Sequence, residues 1–324
     1  MNRRDFLKLS ALAAAAGASG RLAAQGMNAA SPFKTVLKKA LIAKRFDAAL
    51  AQRLKDAGFP GVEMQDKTVT VAEARAARRR AEDNGLVIHS FMGGWFEFNS
   101  KDAAKRAAAI ETAKRNIQLT AAYGAPVILV VPGRVGGMAI PAPSKFSLEF
   151  DPRSLVLARA VEGDNAPFAD YIAAQNEATE RAREAVEELI PVAASEGVII
   201  GLENVWNNLW VKPDFAAAFI RSFSSPWVKS YFDIGNHVRY ARAEEWIAAL
   251  ADQIVKLHIK DFKIDRAAKN EGTFVRIGEG SIDFKSVRRA IESARYSGWI
   301  SIESSGWTDA EHSAIMDRFF VGTL

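Results

Sequence analysis

The chain has 324 residues, 43 Lys and Arg against 38 Asp and Glu for a formal charge of +5, and no cysteine. The missing thiol excludes disulfides, iron–sulfur clusters, cysteine nucleophiles and lipoprotein acylation. The positive excess is shared between the N-terminus and helical stretches such as 72–81 (AEARAARRRA), where arginines alternate with alanines along a solvated face, so no nucleic-acid partner is expected.

Residues 1–26 read as a targeting segment. Asn2-Arg3-Arg4-Asp5-Phe6-Leu7-Lys8 is a paired-arginine head, and LSALAAAAGASG after it is mildly apolar and ends in small residues suited to cleavage. The segment resembles a bacterial twin-arginine signal, which implies export of an already folded protein to the periplasm. Its apolar stretch is too short and too rich in alanine for a stable membrane span.

From there strand and helix signals alternate eight times. Strand one falls within Thr35 to Ile42, and its helix runs from Asp47 to Ala57 and stops at Gly58. Strand two is Gly61 to Gln65, followed by a helix over Val71 to Asn84. Leu86 to Met92 is strand three, and a long alanine-rich helix spans Lys101 to Tyr123. Strand four is Pro126 to Val131. A segment rich in Gly, Pro and Ser, Pro132 to Asn165, then interrupts the rhythm; it is expected to be a long loop on the strand-end rim, either a lid or an oligomer-forming insertion. The helix Ala169 to Glu196 closes at Gly197, and helices around Pro213 to Phe223, Ala243 to Ala251 and Phe284 to Tyr296 separate the last strands. Such alternation predicts a parallel sheet with helical crossovers, and residues 27–324 are the right length for a single (β/α)8 TIM barrel.

Strands five to eight each end in a metal-ligand residue type: VIIGLEN at Glu203, VKSYFDIGNH at Asp233, IVKLHIKD at His258 and WISIES at Glu303. Residues two apart in a strand share a face. Val198, Ile200 and Leu202 therefore oppose Glu203, Val255, Leu257 and Ile259 oppose His258, and Ile300 and Ile302 oppose Glu303. With the β-branched faces turned to the helices, the four polar groups face the barrel axis. Burying a carboxylate there without a partner is costly, and one divalent ion (Mn²⁺, or Mg²⁺, Co²⁺ or Zn²⁺) accounts for all four.

The order Glu, Asp, His, Glu on these strand ends, with the histidine in an HxKD setting and a GEG segment before the last helix, resembles the sugar phosphate isomerase/epimerase superfamily of xylose isomerase-like barrels. The resemblance spans about Thr35 to Glu303. It implies that Glu203, Asp233, His258 and Glu303 hold one ion, commonly Mn²⁺, and that Arg276 before the GEG segment contacts substrate oxygens. It also brings His237 of DIGNH near the place of a substrate-contacting histidine, although Asn236 occupies the usual three-residue step from the aspartate.

Such a site suits isomerisation or epimerisation of a sugar or keto-sugar through an enediolate. Glu203 and Glu303 would act as acid/base groups on opposite sides of the substrate, while Asp233 and His258 only hold the ion. His89 and Glu63, read as ending strands three and two, could contact substrate hydroxyls or make structural hydrogen bonds on the rim. Trp95, Trp206, Trp210 and Trp307 follow strands and could stack on a sugar ring or pack beneath the loops. The expected partner is a small-molecule carbohydrate; homo-oligomerisation is open. The alternatives are a lyase or dehydratase on a keto-sugar or inosose, a non-catalytic sugar-binding barrel, and a phosphodiesterase resembling AP endonucleases.

Overall fold

A computed structural model describes residues 32–324; the targeting segment and its boundary at residue 26 lie outside the described residues. Eight parallel strands close into a barrel in sequence order: β1 (Leu37–Ala43), β2 (Gly61–Met64), β3 (Val87–Trp95), β4 (Val127–Val131), β5 (Ile199–Leu202), β6 (Val228–Asp233), β7 (Ile254–Ile259) and β8 (Gly298–Ile302), with β8 pairing back onto β1. Helices α1 (Ala48–Asp56), α2 (Val71–Asp83), α3 (Ala103–Ala122), α4 (Ala169–Glu196), α5 (Pro213–Ser222), α6 (Ala243–Leu250), α7 (Phe284–Ser293) and α8 (Asp309–Phe320) follow the strands in turn. The expected (β/α)8 barrel is the fold observed.

Local chemistry explains several boundaries. The Asp47 carboxylate accepts the Leu50 amide at the start of α1, and Thr70 with Glu73 and Thr308 with Glu311 form reciprocal capping boxes at α2 and α8. At the far end of α4 the chain turns through Gly197 at φ 67°, a conformation that a side chain disfavours.

Strand parity divides the core into two layers. Val62, Ile88, Ile200, Leu202, Phe232, Leu257 and Ile300 pack against the helices, while Val127, Leu129, Val131 and Tyr231 fill the barrel interior. Gly201 faces that interior, where a Cβ would stand 3.0 Å from the Tyr231 ring, so its bareness makes room for the tyrosine. A register shift between β2 and β3 pairs Val62 with Ile88 but Glu63 with Ser90, leaving His89 as an extra residue on β3.

Two segments extend the strand-end rim. Asp261–Ile264 pairs antiparallel with Gly272–Val275 as a hairpin after β7. The stretch after β4 is more than a bare loop: it holds the 3₁₀ turns Pro143–Lys145 and Ala166–Phe168 and a small hairpin of Glu149–Phe150 with Leu157–Arg159. The two segments are tied together, because Glu271 accepts the Ser144 amide and hydroxyl (2.6 Å to the hydroxyl) and pairs with Arg266. Among the described residues no helix is long and apolar enough to cross a membrane.

Candidate metal centre and active site

Each of the four strand-end residues is delivered by the ladder itself. Asp233 is the last residue of β6 and His258 lies within β7. Glu203 and Glu303 continue the pairing one residue beyond β5 and β8, their amides donating to the carbonyls of Val130 and Ile259 at 3.0 Å. The alternation therefore persists through both glutamates, and one ligand atom from each of Glu203, Asp233, His258 and Glu303 lies within 4.8 Å of the others.

The surroundings hold these groups in unlike states. Asp233 Oδ1 accepts the amides of Gly235 and Asn236, both at 2.8 Å, which turns the chain sharply after β6. A Cβ on Gly235 would stand 2.6 Å from Lys260, so the DIGNH glycine serves close approach. Asn236 Nδ2 donates to Glu203 Oε1 at 2.9 Å. Burial, reinforced by the charges of Glu303 and Asp233, pushes the Glu203 carboxyl up to about 8 despite the opposing His258 and Lys260. Glu303 goes the other way. Burial would raise it, but the charge of His258 (Nδ1 at 3.2 Å) and the charge and hydrogen bond of Lys260 (Nζ at 2.9 Å) outweigh that and hold it well below the usual carboxylate range.

Two buried atoms aimed into the cluster, Asp233 Oδ2 and His258 Nδ1, have no hydrogen-bond partner; the cation nearest Asp233 Oδ2 is Lys260 Nζ at 3.4 Å. Buried polar atoms left without such a partner are rare in a protein interior. Three carboxylates and an imidazole with unpaired atoms are a donor set that fits Mn²⁺, Mg²⁺, Co²⁺ or Zn²⁺. Lys260 and Asn236 were absent from the sequence-based site. The signal for Lys260 was present, since Lys256, His258 and Lys260 alternate on one face of KLHIK. Asn236 lies beyond β6, where strand parity says nothing.

The rim carries the remaining groups. Arg276 is exposed, with its guanidinium 5.0 Å from the Trp307 ring, over the loop that follows Glu303. Its loop is anchored by the aspartate of HIKD: Asp261 accepts the amides of Gly278 and Gly280 at 2.9 and 2.8 Å, and a Cβ on Gly280 would collide with that carboxylate. The HxKD and GEG motifs are thus one structural unit. Trp206 donates its indole N–H to the Asn236 carbonyl at 2.7 Å, stacks on Phe274 (5.0 Å) and lies under the Arg239 guanidinium (3.8 Å).

Three sequence-based placements are corrected, and the open choice at Trp210 falls to packing. His89 does not end β3 but is its third residue. The register shift turns it inward with Ser90, where it is buried against Trp299 (4.9 Å) and meets Ser301 Oγ at 3.1 Å, away from the rim. Glu63 is likewise fully buried, 2.7 Å from the Tyr231 hydroxyl and 2.8 Å from His258 Nε2, beneath the cluster rather than at an exposed strand end. His237 packs between Trp246 and Tyr240, and burial, with Arg239 and Lys260 nearby, pushes it down to about 3; Asn236 is the residue facing Glu203. Trp210 is a core residue stacked on Phe219 at 3.8 Å.

Known proteins share this architecture. The sequence profile described as xylose isomerase-like TIM barrel matches residues 51–316, and that of the twin-arginine translocation pathway signal sequence matches residues 1–20. Over 137 residues, 40% of the chain, the sequence is 28% identical to an uncharacterized protein of Methanocaldococcus jannaschii; the match spans 44% of that relative, less than half its length. Among solved structures, a xylose isomerase domain protein from Planctomyces limnophilus superposes with a TM-score of 0.62 at 18% identity, covering 90% of this chain and 97% of that one. An L-ribulose 3-epimerase gives 0.64 at 17% (88% and 95% covered), and a 3-keto-D-glucoside 4-epimerase from E. coli gives 0.63 at 15% (87% and 98%). At these identities the likeness is one of fold.

Proposed function

The chain belongs to the xylose isomerase-like TIM barrel family, and from that premise we propose that it is a metal-dependent isomerase or epimerase of a sugar or keto-sugar, exported to the periplasm by the twin-arginine pathway. The observation that carries this reading is the convergence of Glu203, Asp233, His258 and Glu303 within 4.8 Å on the strand-end rim. Asp233 and His258 serve as ligands only. Glu203 and Glu303 serve both as ligands and as the proton-transfer pair. A bound divalent ion, Mn²⁺ foremost, supplies polarisation of the substrate carbonyl and balance for the negative charge that develops.

The protein's own groups do the rest. One glutamate removes the proton from the carbon beside the carbonyl, and the other returns a proton on the opposite face or at the neighbouring carbon. Unlike environments for two carboxyls are how acid and base roles are divided, and the two differ in their partners, a neutral Asn236 amide on Glu203 and the Lys260 ammonium on Glu303. Asn236 holds Glu203 in place, Lys260 holds Glu303, and Arg276 reaches the substrate oxygens from the rim, while Trp206, its ring covered by Phe274 and Arg239, anchors the Asn236 turn. His89, inside the barrel, and His237, buried against Trp246 and Tyr240, take structural roles.

The test is proton exchange. Protein purified with Mn²⁺ is incubated in D₂O with ketoses, keto-glycosides and inososes; deuterium at carbon in a recovered or rearranged substrate is expected. Loss of a β-substituent would identify a lyase or dehydratase instead. Binding without exchange in every candidate would leave a sugar-binding barrel and refute catalysis.

A further inference from the structure

The geometry points to Glu63, held by Tyr231, as a positioning residue for the metal centre: it fixes His258 from below so that the ring presents Nδ1 to the three carboxylates. This rests on reading the cluster as a divalent-ion site.

Glu63 comes from β2 and His258 from β7, 195 positions apart in sequence, and the two meet inside the barrel with the carboxylate 2.8 Å from Nε2. Both side chains are fully buried. The same oxygen, Oε2, accepts the Tyr231 hydroxyl at 2.7 Å, and that hydroxyl lies 3.2 Å from Ser90 Oγ. A carboxylate only accepts, so Nε2 carries a hydrogen toward Glu63. Nδ1 is the ring nitrogen turned to the cluster, 3.2 Å from Glu303 Oε2 and without a hydrogen-bond partner, and it is the atom that would coordinate an ion. The ring is gripped on its other side too, by an edge-on contact with Tyr231 at 4.6 Å.

The network is built rather than incidental. Gly201 leaves the space that the Tyr231 ring fills, and the register shift on β3 turns Ser90 inward to the tyrosine hydroxyl. A carboxylate behind a metal-binding histidine fixes its tautomer and orientation, and its loss typically weakens metal binding about 10–100-fold.

The experiment measures Mn²⁺ affinity of the full-length protein, by the electron paramagnetic resonance of free Mn²⁺, in wild type, Glu63→Gln, Glu63→Leu and Tyr231→Phe. Each is also melted after chelator treatment. Glu63→Gln keeps an acceptor oxygen for Nε2–H and should bind within a fewfold of wild type. Glu63→Leu should bind about 10–100-fold more weakly while its chelated form melts no lower than wild type. Tyr231→Phe leaves the carboxylate but frees it, and should weaken binding severalfold; it also covers the case in which the Leu variant does not fold. Wild-type affinity in Glu63→Leu or in Tyr231→Phe would overturn the assignment. So would equal weakening in the Gln and Leu variants accompanied by a lower melting temperature of the chelated protein, the pattern of a merely structural residue. Failure of the wild type to bind Mn²⁺ would remove the metal centre itself, and this inference with it.

Discussion

Replacing each glutamate by glutamine separates chemistry from architecture. In Glu203→Gln the side chain keeps its shape, and an amide oxygen can still accept the Asn236 hydrogen bond now made at 2.9 Å. No cavity opens, and a neutral group replaces a carboxyl that burial already disfavours as an anion, so folding stability should change by less than about 1 kcal/mol. Proton transfer should suffer far more. General acid–base groups contribute about 10²–10⁴-fold, or roughly 3–5 kcal/mol in the barrier. Glu303→Gln should lose rate on the same scale but stability as well, because it strips the negative partner from His258 Nδ1 and from Lys260. Lys260 keeps Asp233 at 3.4 Å, which limits that cost to about 1–3 kcal/mol. The assay pairs steady-state turnover with solvent deuterium exchange and metal content measured on the same preparations. A variant that has lost only the second-face group should still wash the substrate hydrogen into solvent while forming no product. Near-normal turnover in both variants would refute the reasoning, as would a loss of rate that tracks loss of metal.

The metal ligands give a second test: Asp233→Ala or His258→Ala should lower metal content and melting temperature together, and the stability difference that depends on added Mn²⁺ should vanish in chelator. At 100 times its dissociation constant a bound ion contributes about 2.7 kcal/mol, and full occupancy in both variants would contradict the ligand set. Arg276→Ala should raise KM with the metal retained, a loss of about 1.5–3 kcal/mol if a charge-assisted bond to substrate is removed; unchanged kinetics would return Arg276 to a surface role. A fourth test concerns pH. Folded His237 titrates at about 3 and an unfolded histidine at about 6.5, so between these values the unfolded chain binds the additional proton, and stability present above 6.5 is lost as pH falls toward 3. At pH 5 the loss is about 2 kcal/mol, roughly 3 °C for a chain of this size. His237→Phe should shrink the difference in melting temperature between pH 7 and pH 5 by that amount in chelated protein, and an unchanged difference would mean that the ring titrates normally.

Strand period and helix stops are local properties, and they were enough to define the barrel and the four residues at its centre. A side chain's face within a strand depends only on whether its position is odd or even, and the ladder carries this alternation through Glu203, Asp233, His258 and Glu303. Where that regularity breaks, sequence reasoning broke with it. The register shift on β3 took His89 from the rim into the interior, and the turn after β6 put Asn236 rather than His237 at Glu203. Glu63 was recognised as a polar residue at a strand end, but its partner was beyond the reach of sequence. Only closure of the barrel sets β2 opposite β7 across the interior and brings its carboxylate to His258, because cross-barrel neighbours are fixed by the curvature of the whole sheet and leave no period in the chain.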